Sequence, residues 1–118
     1  MSQPDSDSAE SLDPDVALEL LSDATRRGAV AVLREEGPMA LGELAAETVA
    51  RRDGVATEDV SAEQRKRTAA TLHNAHLPKL AGADVASYDP DANRIEPDEA
   101  IAGLDRYFEV IDSYSEEP

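Results

Sequence analysis

Apolar residues recur along the chain in short blocks at helical spacing, and turn-forming residues separate the blocks. Asp13 followed by Pro14 is a helix start, because proline lacks an N–H where none is needed, and Val16, Ala17, Leu20 and Leu21 then form one stripe. A second helix is predicted over about 24–36, with Ala29, Val32 and Leu33 on one face, Arg26, Arg27 and Arg34 off it, and Gly37-Pro38 as its stop. Met39 and Ala40 fit a very short strand. Leu41, Leu44, Ala45, Thr48 and Val49, at i, i+3, i+4, i+7 and i+8, make the most regular amphipathic stripe and predict a third helix to about Arg52.

Asp53-Gly54 ends that helix, and "VATEDV" reads as a loop leading to Ser61, whose hydroxyl caps a fourth helix while Gln64 reaches back to it. Pro78 either kinks this helix or restarts it. "VASY", "DPDAN" and "RI" alternate and turn like a small hairpin. Pro97 opens a last helix, in which Ile101, Leu104, Phe108 and Ile111 are spaced 3, 4 and 3 and form a seam. The expected fold class is mostly α with a small β-hairpin.

The length of 118 residues suits one domain with a modest core. We expect a disordered acidic leader over 1–12, the domain over 13–112 and a frayed acidic tail over 113–118. Only Phe108 and three tyrosines are aromatic, so Leu, Val and Ala must build the core. Cysteine is absent, which excludes disulfides and thiolate metal sites. The N-terminus has neither the basic start nor the apolar stretch of a signal peptide, and the longest apolar run, "AVAVL", is too short to span a bilayer. A cytoplasmic protein with no membrane partner is expected.

Charge changes the picture most. The chain carries −15, yet residues 61–79 hold Arg65, Lys66, Arg67 and Lys79 against Glu63 alone, a net +3, leaving −18 for the rest. Acid-rich, lysine-poor composition points to a halophilic cytoplasm, where the Debye length falls to about 3 Å at 1 M salt. The global charge then reports habitat more than partner, and the local inversion is the main clue to function.

"LSDATRRGAVAVL", "GPMALGELAAETVA" and "HLPKLAGADVASYD" resemble the winged helix-turn-helix of ArsR-type repressors, with its "LSDPTR" entry, "ELA" positioning helix and "HL..L...G.V" run into the wing. The chain is still more similar to haloarchaeal winged-helix domains carrying "GELA", an "EQRKR"-like helix start, "HLPKL" and "YD". The likeness covers about residues 12–104, and it implies an archaeal DNA-binding transcription regulator. Three features depart from the pattern. The loop "DGVATEDVS" is longer than a compact turn, the hairpin tip sets Asp89 and Asp91 against Arg94, and Ala40 stands where a Ser or Thr cap is expected.

Stepping 100° per residue from a buried Leu72 places Thr68, Ala69, Ala75 and His76 inward. Arg67, Ala70, Thr71 and Asn74 then form the face that would enter a major groove, Arg forking to guanine and Asn pairing with adenine. Lys66 and His73 lie at its edge near phosphates, with Arg94 in the wing, and Arg65 turns towards the core. The plain alternative is a solvated basic face, which in the first turn also opposes the helix dipole. His73 and His76 alone fall short of a four-ligand metal site, so no metal or cofactor is expected, and catalytic motifs are absent.

Two functions remain open: a regulator of double-stranded DNA, dimerising through Ile101, Leu104, Phe108 and Ile111 with or without the first helix, or a winged-helix protein-interaction module that leaves DNA alone. The seam has its own alternative, which is to pack on its own domain.

Overall fold

A computed structural model describes residues 12–115 as mostly helical with one two-stranded antiparallel sheet. The helices are α1 (Pro14–Leu20), α2 (Ala24–Glu36), α3 (Leu41–Asp53), α4 (Ala62–Thr71), α5 (Leu77–Gly82) and α6 (Asp105–Ser115); the strands are β1 (Ala86–Asp89) and β2 (Arg94–Pro97). Their order is compatible with a winged helix. Residues 1–11 of the expected leader and 116–118 of the expected tail lie outside the described residues, whereas Leu12 packs against the core and α6 continues through 113–115.

Local chemistry sets most element ends. Asp13 and Asp23 cap α1 and α2 through their carboxylates, and Gly37 and Gly54 close α2 and α3 at positive φ. Ser61 and Gln64 form the expected capping box on α4, with Gln64 N donating to Ser61 Oγ at 3.0 Å and Ser61 N to Gln64 Oε1 at 3.4 Å. Ala40 offers α3 no side-chain acceptor. The missing cap comes from the hairpin instead: Asn93 Oδ1 accepts from Leu41 N at 3.1 Å, and Glu43 Oε1 accepts from Ala40 N at 3.2 Å.

Pro78 stands in the first turn of α5, where its missing N–H does no harm. Residues Leu72–His76 form a π turn that joins α4 to α5, with Leu77 N bonded to Leu72 O. The wider turn lies where the Pro78 ring would crowd the carbonyl four residues earlier. It also rotates the helix within and beyond it, so Ala75 is exposed rather than inward as a strict 100° step predicts. Arg65 is likewise exposed and does not face the core.

The hairpin pairs Ala86 with Pro97, Ser87 with Glu96, Tyr88 with Ile95 and Asp89 with Arg94. The short strand expected at 39–40 is a single bridge, Met39 exchanging both backbone bonds with Ile95 at 2.9 and 2.8 Å. Pro97 ends β2 and does not open the last helix; Asp98 caps a 3-10 segment, Glu99–Leu104, that leads into α6. Leu20, Leu33, Leu44, Leu72, Leu77, Leu80, Val85, Ala86, Ile95, Leu104 and Phe108 are buried together in one core, drawn from both ends of the chain and from the hairpin. Among the described residues no helix is long and apolar enough to cross a membrane.

Candidate nucleic-acid interface

α4 and the π turn after it are held down by Thr68, Leu72 and His76, which are buried, and this turns their opposite side outward. Lys66, Arg67, Ala70, Thr71, His73 and Asn74 are all exposed, and residues 64–83 contain no acid. Arg67 is 68% exposed and meets Glu63 one turn earlier at 3.7 Å. Such an exposed pair contributes at most about 1 kcal/mol and exchanges readily with another anion. Arg65 and Lys66 form no ion pair with a described residue. Thr71 Oγ1 donates back to Arg67 O at 3.1 Å, which ties down part of its hydrogen-bonding capacity.

The edges of the strip are less free. His73 Nδ1 lies 2.8 Å from the Tyr88 hydroxyl, with the rings edge-on at 5.5 Å, so this histidine braces α4 against β1. Lys79 Nζ donates to Glu19 Oε2 at 2.9 Å, and this bond and charge hold the Glu19 carboxyl below its usual range. Arg94 is exposed, yet its Nε donates at 3.0 Å to Glu96, which shares its side of β2. At the hairpin tip Asp89 Oδ1 accepts from Asp91 N and Ala92 N, so the turn is built on an acid.

Beneath the strip lies a polar cluster that helical periodicity misplaced. Arg26 is buried, not off the apolar face. Its Nε and Nη2 donate to Leu20 O and Glu19 O, each at 2.7 Å, and its Nη1 lies 3.2 Å from His76 Nδ1. Arg27 Nη1 adds a bond to Leu21 O at 2.6 Å, so two arginines of α2 cap the carbonyl end of α1. Burial pushes His76 below its ordinary value against the pull of Asp23, and neighbouring Arg26 and Lys79 push the same way. A neutral His76 accepts from Arg26 at Nδ1 and turns its Nε2–H to Asp23 Oδ1, 3.5 Å away. Backbone bonds, above all from Arg26 N, hold Asp23 low. His73 faces outward and His76 inward, so the two do not converge.

The seam of the last helix turns inward. Leu104 and Phe108 belong to the domain's own core, and Ile101 and Ile111 pack against it half-buried. Buried Leu104 and Phe108 offer little surface to a second copy. The exposed apolar residues nearby are Leu18 and Val110, 59% and 56% exposed, which flank a groove of about 520 Å³ between α1 and α6.

Arg26 and Asn93 carry no signal in a hydrophobic period. Their only trace is chemical, an arginine just after a helix end and an asparagine opposite an uncapped one. No curated protein and no solved structure matches the chain. A family model described as a domain of unknown function (DUF7344) matches residues 18–96, from within α1 through most of the hairpin, and the chain belongs to that family.

Proposed function

We propose that the chain is a cytoplasmic regulator of transcription that binds double-stranded DNA with the outer face of α4 and the π turn. The observation that carries this reading is an acid-free, outward strip in a chain of net charge −15. Arg67 leaves its loose pair with Glu63 to fork to a guanine, Asn74 pairs with an adenine, and Ala70 lets the helix approach closely, with Thr71 beside it. Lys66 and His73 sit at phosphates. Arg94 joins them only when it leaves Glu96. The reading assigns no cofactor and no catalytic step. Two copies joined along α1 and α6 would place half-sites about 34–36 Å apart.

Titration of labelled genomic fragments across salt tests it, because each neutralised phosphate contributes about −0.9 to the slope of log K against log salt. Arg67→Ala is expected to lose about 1–3 kcal/mol of discrimination at one base position, and Lys66→Ala to weaken all sequences alike. Equal effects from the two variants reject these roles, and the absence of any salt-dependent binding rejects the regulator. The acid-built hairpin tip and the Arg94–Glu96 pair favour a second reading, a protein-interaction module, which predicts that outcome.

A further inference from the structure

The α4 strip is not the only place where this acidic chain gathers positive charge. Four of its nine arginines line one cavity of about 430 Å³ between α2, α3 and α6, and Glu35 is the one acid among the lining residues. Ala24, Gly28 and Ala31, spaced 4 and 3, leave α2 without bulk along one face. The half-buried Ile111 of α6, with the buried Phe108 behind it, closes that gap on its apolar side. Arg27 and Arg34 stand seven residues apart, two turns along the same side of α2, and Arg51 and Arg52 at the end of α3 face them across the cavity.

These arginines are not equally engaged. Arg51 gives both terminal nitrogens to Glu35, at 3.3 and 2.7 Å, and Arg52 bonds Asp53 through Nε at 3.0 Å and Thr25 through Nη1 at 3.2 Å. Arg34 gives only its Nε, to Asp105 at 2.9 Å, and Arg27 only its Nη1, to Leu21 O. A guanidinium carries five N–H donors, so both keep donors that no described residue accepts. Arg34 is also held in place, its Cζ 4.5 Å from the centre of the Phe108 ring.

A fixed guanidinium fork beside an apolar wall and a small-residue floor matches one ligand chemistry. A carboxylate accepts two parallel bonds from such a fork, and a compact apolar body fills the space beside Ala24, Gly28 and Ile111. Inorganic phosphate would leave the wall unused, and a neutral arene would leave the arginines unused. The volume falls at the lower end of the range for ligand sites, about 300–1,000 Å³. We propose that this cavity binds a small organic carboxylate with an apolar body, and that Arg34 holds the carboxylate. The proposal does not depend on the DNA reading.

Calorimetric titration of the full chain at fixed ionic strength with benzoate, benzyl alcohol and inorganic phosphate tests it. Benzoate is expected to saturate one site in roughly the 0.1–1 mM range, and the other two probes to bind at least about tenfold more weakly. Arg34→Gln should weaken benzoate at least about tenfold, through the loss of the charged fork, and Arg27→Gln should weaken it less. Asp105→Asn removes the carboxylate that competes for Arg34, so this variant should bind benzoate about threefold or more tightly than the parent. Thermal unfolding of each variant shows that it is folded, and Arg27→Gln and Asp105→Asn carry the test if Arg34→Gln does not fold. Failure to saturate by about 10 mM benzoate, equal binding of phosphate or benzyl alcohol, or unchanged affinity in the folded variants overturns it.

Discussion

Replacing Arg26 with methionine keeps most of the buried stem and removes the guanidinium, which isolates the polar contribution of this side chain. Three partners lose their donor: the carbonyls of Leu20 and Glu19, each 2.7 Å away, and Nδ1 of His76 at 3.2 Å. The Leu20 carbonyl bond is buried and the Glu19 one only partly so, so water replaces the second more easily than the first. Leaving one buried acceptor without a partner costs about 1–3 kcal/mol, and a lost charged hydrogen bond about 1.5–3 kcal/mol. His76 recovers part of its loss by changing tautomer, and removing a buried charge returns some desolvation energy. The net expectation is a loss of roughly 3 kcal/mol, a large share of the 5–15 kcal/mol typical of a domain.

Urea unfolding followed by circular dichroism, at a slope of about 1–3 kcal/mol per molar urea, resolves such a change. Arg26→Lys should recover less than half, because one ammonium cannot reach three acceptors that surround a planar fork. In a double-mutant cycle with His76→Gln the two sites should couple by about 0.5–3 kcal/mol. A cost below about 1 kcal/mol for Arg26→Met, or full recovery by lysine, would show that the arginine is not the cap that joins α1 to α2.

Stability should fall as pH drops below the ordinary histidine value of 6.5, because the unfolded chain then protonates His76 before the native one does; His76→Gln should flatten that slope. Asp23 lies below its ordinary 3.8, so its contribution is present above that pH and disappears only in stronger acid, which keeps the two windows apart. Asn93→Ala should cost about 0.5–2 kcal/mol through the lost α3 cap, with additional strain from its φ of +53°, whereas Asn93→Gly should relieve the strain and still lack the cap; equal stability of both variants with the parent in urea unfolding would reject the cap. Thr48→Val should stabilise by about 1 kcal/mol, since Thr48 Oγ1 is buried without a hydrogen-bond partner among the described residues; a lower unfolding midpoint would contradict it.

The strip on α4 was legible because its determinants are local. A capping box spans four residues, a charge inversion is counted from composition, and Leu72 with Thr68 defines an inward side within two turns. The same locality explains why the bounds of α2 over 24–36 and the hairpin follow from caps, periodicity and turn residues. One break in the local rule falls at a change of helix type: the π turn at Leu72–His76 displaced Ala75, while the exposed placement of Asn74 survived it.

The elements, their order and the sign of charge on one helix are therefore written in the residues themselves. Packing in three dimensions was needed to establish that Arg26 is a buried cap, that Asn93 closes a helix 52 residues away, that Leu104 and Phe108 of the last helical stretch turn into the domain's own core, and that four arginines of two helices meet around one cavity. Hydrogen-bonding and packing partners in these cases lie on different elements. Periodicity records which side of a helix is apolar, but it carries no information about which distant atom will lie against that side.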